Sequence, residues 1–328
     1  MRPVEQGGYG LDALWNDDFH HTAMVALAGR SEAYYTDYKG SPQEFVSALK
    51  YGFLFQGQRY KWQRQRRGSP ALDLDPAAFI NFIQNHDQVA NSGRGERADR
   101  LTSPGRLRAM TALMLLAPST PMLFQGQEFA ASSPFLYFAD HEEGLAARVR
   151  GGRTEFLAQF PSLATEEVRA CLPDPRDPSS FGRCKLDLSE REKHAEVYAL
   201  HRDLLRLRRE DPVFGRQRRR GLDGAVVGPE AFVVRFFGED GGSGDRLLVV
   251  NFGRDLRLDP APEPLLAPPE GARWDVLWSS ESVAYGGCGT APLDTEDNWR
   301  IPGHAAVALR PTAVSGYEFR VSSSGGAR

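Results

Sequence analysis

The chain has little cysteine, no long apolar run and no excess of positive charge, and each shortage removes a class of protein. Its 328 residues include only Cys171, Cys184 and Cys288, too few and too scattered for a disulfide framework or a four-ligand zinc site. The longest apolar run, around residues 112–117, falls far short of the roughly 20 residues a membrane span needs. The opening MRPVEQGGYG has none of the apolar h-region of a secretory signal. Lys and Arg number 40 against 43 Asp and Glu, a net charge of -3. A dedicated phosphate-backbone binder carries a large positive excess and is disfavoured. What the chain does have is a hydrophobic share of 41% with 10% aromatic residues, enough for sizeable cores and too much for disorder. The expectation is a cytoplasmic protein without membrane or nucleic-acid partners, whose chemistry rests on carboxylates, histidines and aromatics.

At roughly 150 residues per domain the length allows two domains, and two compositions meet near Pro212. Before it, apolar runs alternate with helical patterns. The run at 77–87 (AAFINFIQNHD) has Phe79, Ile80, Phe82 and Ile83 on both faces, as a strand buried on both sides requires. Ser103 and Pro104 then supply an N-cap and first residue for a helix over 106–117, and 120–129 (TPMLFQGQEF) reads as a further buried strand. That is a βαβ unit, which favours parallel sheet. A similar unit opens the chain: strand at 10–15, helix at 19–29. A helical pattern at 190–211 closes this half. From Val213 onward, short β-rich stretches at 231–238, 245–253, 273–278 and 304–311 are separated by Gly, Pro and Asp clusters, the pattern of an antiparallel sandwich. Residues 238–245 read as a hairpin connection and 321–328 as a disordered tail.

In parallel α/β architectures, functional groups collect where strands end. Three such ends carry Trp15, Asn16, Asp17, Asp18, His20 and His21; Asn85, His86, Asp87 and Gln88; and Gln125, Gln127 and Glu128. Asp87 follows its strand at once, so a carboxylate sits beside donors at a sheet rim. It is a candidate for stabilising a cationic centre or binding sugar hydroxyls; the alternative is an N-cap or a loop carboxylate paired with Arg94 or Arg97. Glu128 is similarly placed, with a rim salt bridge as its alternative. Adjacent histidines on a helix diverge by about 100°, so capping by Asp17 or Asp18 beside a half-buried His explains His20–His21 better than a metal site. The run RYKWQRQRR (59–67) reads as a solvated loop over a cleft whose Tyr60 and Trp62 can stack on sugars, and 215–221 as a basic domain junction. With no GxGxxG, Walker or GxSxG pattern, neither nucleotide nor serine-hydrolase chemistry has support. No cofactor or metal is expected.

The segment FINFIQNHDQVANSGRGER (79–97) resembles the region around the third catalytic carboxylate of the α-amylase superfamily. Taken with GGYGLDALWNDDFHH (7–21), SEAYYTDY (31–38), PFLYFADHEEGL (134–145), LWSSESVAYGG (277–287) and WRIPGHAAVAL (299–309), it resembles the malto-oligosyltrehalose trehalohydrolases in particular. The resemblance implies a partial (β/α)₈ barrel, about its last three βα units, over 1–211 and a β-sandwich over 212–320. It further implies retaining hydrolysis of the α-1,4 bond beside a terminal trehalose. The expected ligand is malto-oligosyltrehalose or a related α-glucan. Asp87 maps onto the carboxylate that stabilises the oxocarbenium-like transition state, and His86 onto a donor to the sugar in the cleaved subsite. Asn85, Gln88, Trp62, Phe135, Asp18, His20 and Glu128 are the further substrate-binding candidates.

Departures from the pattern are equally informative. The family's nucleophile and acid/base Glu precede the block that begins here at Gly7, so the resemblance places both upstream of Met1 and implies that the chain is inactive alone. Glu5 lacks the surrounding strand and motif of that acid/base. Gln127 stands where relatives often carry Glu, and Arg67 where they often carry His. The alternatives are a branching or debranching relative, or a non-catalytic carbohydrate-binding protein.

Overall fold

Helix and strand starts follow local chemistry throughout the first half. A computed structural model describes residues 4–170, 172–239, 244–295 and 298–314; the expected tail at 321–328 and part of the 238–245 connection lie outside them. Strand β1 (Leu14–Trp15) leads into α1 (Asp17–Ala28), which is capped by the Asn16 side chain accepting from Phe19 N–H at 3.3 Å and closed by Gly29 in the left-handed region. Asp17 and Asp18 occupy its first turn, so Asn16, not either aspartate, is the cap. Helix α2 (Pro42–Tyr51) starts at a Ser41–Glu44 capping box. A hairpin of β2 (Arg59–Tyr60) and β3 (Gln65–Arg66) precedes β4 (Phe79–Asn81), α3 (His86–Ala90), α4 (Pro104–Leu116) and β5 (Thr120–Pro121).

Strands β1, β4 and β5 form a parallel sheet with β4 in the middle, Trp15 opposite Ile80 and Ile80 opposite Thr120. These are the three parallel strands read from the sequence, though much shorter than their apolar runs. The carboxyl end of the third run is a 3-10 turn, Gln127–Phe129, so Glu128 stands beyond the strand. Helix α4 is capped by Ser103 and buried on every side from Ala109 to Leu116, which is why its apolar residues show no stripe. Helices α5 (Glu143–Leu157), α6 (Glu166–Ala170), α7 (Pro178–Cys184), α8 (Glu190–Lys193) and α9 (Ala195–Glu210) follow. The pattern at 190–211 is thus broken at His194, whose Nδ1 bonds the Phe129 carbonyl at 2.9 Å.

The remaining strands are β6 (Leu222–Gly228), β7 (Ala231–Phe236), β8 (Arg246–Asn251), β9 (Leu256–Leu258), β10 (Ala272–Ser279), β11 (Asp294–Thr295), β12 (Asn298–Ile301) and β13 (Ala305–Ala313). They make an antiparallel five-stranded sheet, β10-β13-β8-β7-β6, and a three-stranded one, β11-β12-β9. Val233, Leu247, Val249 and Val307 pack toward Trp299 and Ile301 of the small sheet. Phe232, Val234, Leu248 and Val250 instead join one core with Phe45 of α2 and the interior of α4. The large sheet is therefore covered on both faces, and that is why β7 and β8 read as unbroken apolar runs. Phe45 and Phe232 stack at 5.7 Å. Arg108 ties α4 to the chain just past β10, pairing with Glu281 at 2.6 Å and donating to the Ser280 carbonyl at 2.9 Å.

Candidate active site

The rim above the parallel sheet is built around α3. Asn85 is extended and its side chain accepts from Gln88 N–H at 2.9 Å, turning the chain into a helix anchored by buried Val89 and Ala90. His86 and Asp87 then project from its first turn, with side chains 53% and 66% exposed and His86 Nε2 3.5 Å from Asp87 Oδ1. Neither Arg94 nor Arg97 pairs with Asp87. Arg97 is spent on backbone, donating to the carbonyls of Ser133 and Gln125 at 2.7 and 2.8 Å. Trp15 meets His86 edge-on at 5.9 Å and Phe82 at 5.8 Å, so the end of β1 adjoins the end of β4.

A groove of 570 Å³ runs beside β1, lined by Trp15, Asp17, Asp18, Phe53, Phe55 and Arg67. Asp18 is almost wholly buried. Its oxygens accept from Tyr38 O–H at 2.5 Å and from Leu54 and Phe55 N–H at 2.8 and 3.0 Å, and Arg67 lies 3.6 Å away. Asp17 is more open, 3.9 Å from Arg67. Burial raises its pKa against the pull of Arg67, and the negative charges of Asp18 and Asp87 raise it further, so Asp17 and Asp87 share one electrostatic field. Arg67 lies over the Tyr60 ring at 4.7 Å, which makes the basic run at 59–67 a hairpin packed on this rim.

The other candidates are distributed around that centre. His20 is buried behind it, stacked on Phe82 at 5.2 Å, with Nδ1 2.7 Å from the Ile83 carbonyl and Nε2 3.3 Å from Tyr35 Oη. Its partners make the ring a brace between α1 and the strand end. Gln88 Oε1 accepts from Tyr34 O–H at 2.6 Å, and Tyr34 meets Trp62 edge-on at 5.8 Å, so those two candidates adjoin through one tyrosine. Phe135 packs on Phe124 at 5.0 Å, its N–H donating to the Gly95 carbonyl at 3.0 Å. Gly95 has φ +69° and a Cβ there would stand 2.6 Å from the Phe135 carbonyl oxygen, which explains a glycine at that loop position. Glu128 is felt at Arg97 and His201, on the α9 side. Sequence reasoning missed Tyr34, Tyr38 and Arg153, whose Nη2 donates to the Ala90 carbonyl of α3 at 2.7 Å, as parts of this rim; the YYTDY run held the only available signal for the tyrosines. Among the described residues, no cluster of His, Cys, Asp and Glu is placed to hold a metal ion.

Burial lowers the His20 pKa to about 4, against the raising effect of the Ile83 carbonyl. An unfolded histidine titrates near 6.5, so between about pH 6.5 and about pH 4 the unfolded chain binds more protons. Stability should rise with pH across that window and be lost as pH falls through it. Thermal unfolding of the wild type and a His20→Gln variant over this range checks the effect: the variant is expected to show a shallower slope.

Residues 219–308 match the family described as Domain of unknown function (DUF3459). The chain is 37% identical over 84% of its length to Malto-oligosyltrehalose trehalohydrolase of Deinococcus radiodurans, covering 46% of that protein. The chain belongs to the malto-oligosyltrehalose trehalohydrolase family. The namesake protein of Rhizobium sp. (strain M-11) is 33% identical over 84% of this chain and 45% of its own length. A crystal structure of a provisionally named alpha amylase from Salmonella typhimurium superposes with a TM-score of 0.72 and 28% identity, covering 95% of this chain and 48% of that one. The chain thus spans less than half the length of these trehalohydrolase relatives. No helix among the described residues is long and apolar enough to cross a membrane.

Proposed function

We propose that these residues are the carboxyl-terminal part of a glycoside hydrolase that cleaves the α-1,4 bond next to the terminal trehalose of malto-oligosyltrehalose, releasing trehalose with retention. Residues 1–211 would supply the barrel portion and 212–320 the sandwich. The observation that carries the reading is the placement of Asp87: an open carboxylate at the rim of a parallel sheet, beside His86 and the exposed edge of Trp15. Glycoside cleavage passes through an oxocarbenium-like state, and a fixed negative charge facing it stabilises the transition state more than the ground state. His86 can donate to or accept from a sugar hydroxyl, and Trp15, Phe53 and Phe55 line the groove with the apolar surface that pyranose C–H faces need. Asp18 and His20 act in this reading by holding the groove wall and strand end in place, Trp62 and Gln88 through Tyr34.

A retaining enzyme also requires a nucleophile and an acid/base carboxylate flanking the bond, and the family pattern puts neither within these residues. The 328-residue chain alone is therefore expected to leave malto-oligosyltrehalose uncleaved, whereas the complete polypeptide that carries it releases trehalose. Chromatography of the products decides: new α-1,6 branches or linear glucan without trehalose would overturn the assignment.

A further inference from the structure

Beyond Asp87, the long segment between β5 and α9 folds back over the glycine loop at 93–95 and leaves a small cavity. It holds 180 Å³ and is lined by Gly93, Tyr137, Arg150, Arg153, Thr154 and Asp174, among others. Tyr137 is 38% exposed as a residue, and its ring rests on Arg153, whose Cζ lies 4.6 Å from the ring centroid. Arg153 is itself tethered: Nη2 donates to the Ala90 carbonyl at 2.7 Å and Nη1 to Asn91 Oδ1 at 3.3 Å. Tyr137 is thus a fixed platform sharing an anchor with the helix that carries Asp87. At the polar wall, Arg150 Nη1 donates to Asp174 Oδ2 at 2.8 Å, and Thr154 Oγ1 donates to the Arg150 carbonyl at 3.0 Å.

We infer that this cavity is a glucosyl-binding subsite set apart from the bond-cleaving centre, where Tyr137 stacks on a pyranose ring and the Arg150–Asp174 pair bonds its hydroxyls. The inference rests on the α-glucan reading above. Three features select a neutral sugar. Arg150 and Asp174 cancel each other, and both terminal nitrogens of the Arg153 fork already donate to the Ala90 carbonyl and the Asn91 side chain, so the cavity offers an anion no open guanidinium fork. The pair presents donors and acceptors side by side, and hydroxyls do both. The volume is below the ~300 Å³ at which pockets for drug-sized ligands begin, room for a single ring on an aromatic face.

Isothermal titration of the 328-residue chain with maltohexaose tests this. Loss of an aromatic stacking contact is worth about 2- to 10-fold, so Tyr137→Ala is expected to weaken binding by that factor, while Tyr137→Phe stays near wild type. In hydrogen exchange, maltohexaose should slow amides at Tyr137 and in 172–174 in the unaltered chain. Wild-type affinity in Tyr137→Ala with unchanged exchange there would overturn the subsite, as would an absence of binding by the unaltered chain. If His86→Ala abolishes binding while Tyr137→Ala is silent, the subsite falls and the functional reading stands. If Tyr137→Ala weakens binding yet the complete polypeptide releases no trehalose, the subsite stands and the reading falls.

Discussion

Asp87→Asn is expected to lower trehalose release by the complete polypeptide about 10²- to 10³-fold, with the loss mainly in kcat, the size seen when one preorganised electrostatic group is removed from a transition state. The substitution keeps the shape of the side chain and deletes only its charge. Little in the fold depends on that charge: among the described residues the carboxylate meets only His86 Nε2, at 3.5 Å, its side chain is 66% exposed, and it reaches Asp17 and Arg153 through the field alone. Helix α3 is started by Asn85 and anchored by Val89 and Ala90, none of which changes. Thermal unfolding should therefore shift by no more than about 0.5 kcal/mol, as for other surface substitutions, while steady-state turnover collapses. Unchanged turnover would remove Asp87 from the reacting centre.

How far the sequence could show this site differs element by element. The NHD triplet is legible because the buried apolar run that holds β4 gives way there to polar residues, although the strand itself stops at Asn81 and buried Phe82 and Ile83 lie between. The α4 start was legible from Ser103–Pro104, since capping is local chemistry. Helix α1 was legible but its cap was not: Asn16, Asp17 and Asp18 are all good capping residues, and only the backbone decides that Asn16 accepts from Phe19 N–H. The hairpin at 59–66 was hidden because its stability is tertiary: Tyr60 is fully buried and donates to the Tyr34 carbonyl at 2.7 Å. The link from Tyr34 to Gln88 joins residues 54 apart in sequence, and Arg153 reaches α3 from 62 and 63 residues away. No periodicity or spacing announces such contacts. Strand β6 escaped notice because LDGAVVG carries two glycines, which depress strand propensity.

Asp18→Ala is expected to destabilise the chain by about 3 kcal/mol, the lower end of the range for breaking a buried charge pair from one side. The loss is set by what the carboxylate holds. Its oxygens are the acceptors for the Leu54 and Phe55 N–H groups and for Tyr38 O–H, and each of these donors faces desolvation without replacement once the side chain is cut back. Arg67 limits the damage, because its side chain is 24% exposed and can recover water. Asp18→Asn keeps an acceptor for some of these donors but puts an amide N–H among them, so an intermediate loss is expected. The pair of variants separates two roles that position alone confounds. Phe53 and Phe55 line the same groove as Asp18, so a supporting carboxylate should lower the denaturation midpoint of the ligand-free chain and weaken α-glucan binding together. A carboxylate that touched sugar directly would change affinity and leave the ligand-free midpoint in place, and chemical denaturation run beside calorimetry tells the two apart. Because every oxygen contact of Asp18 runs to the protein's own donors, the joint loss is the expected result, and Asp17, open at the groove surface, is then the aspartate of this turn that is placed to meet a ligand.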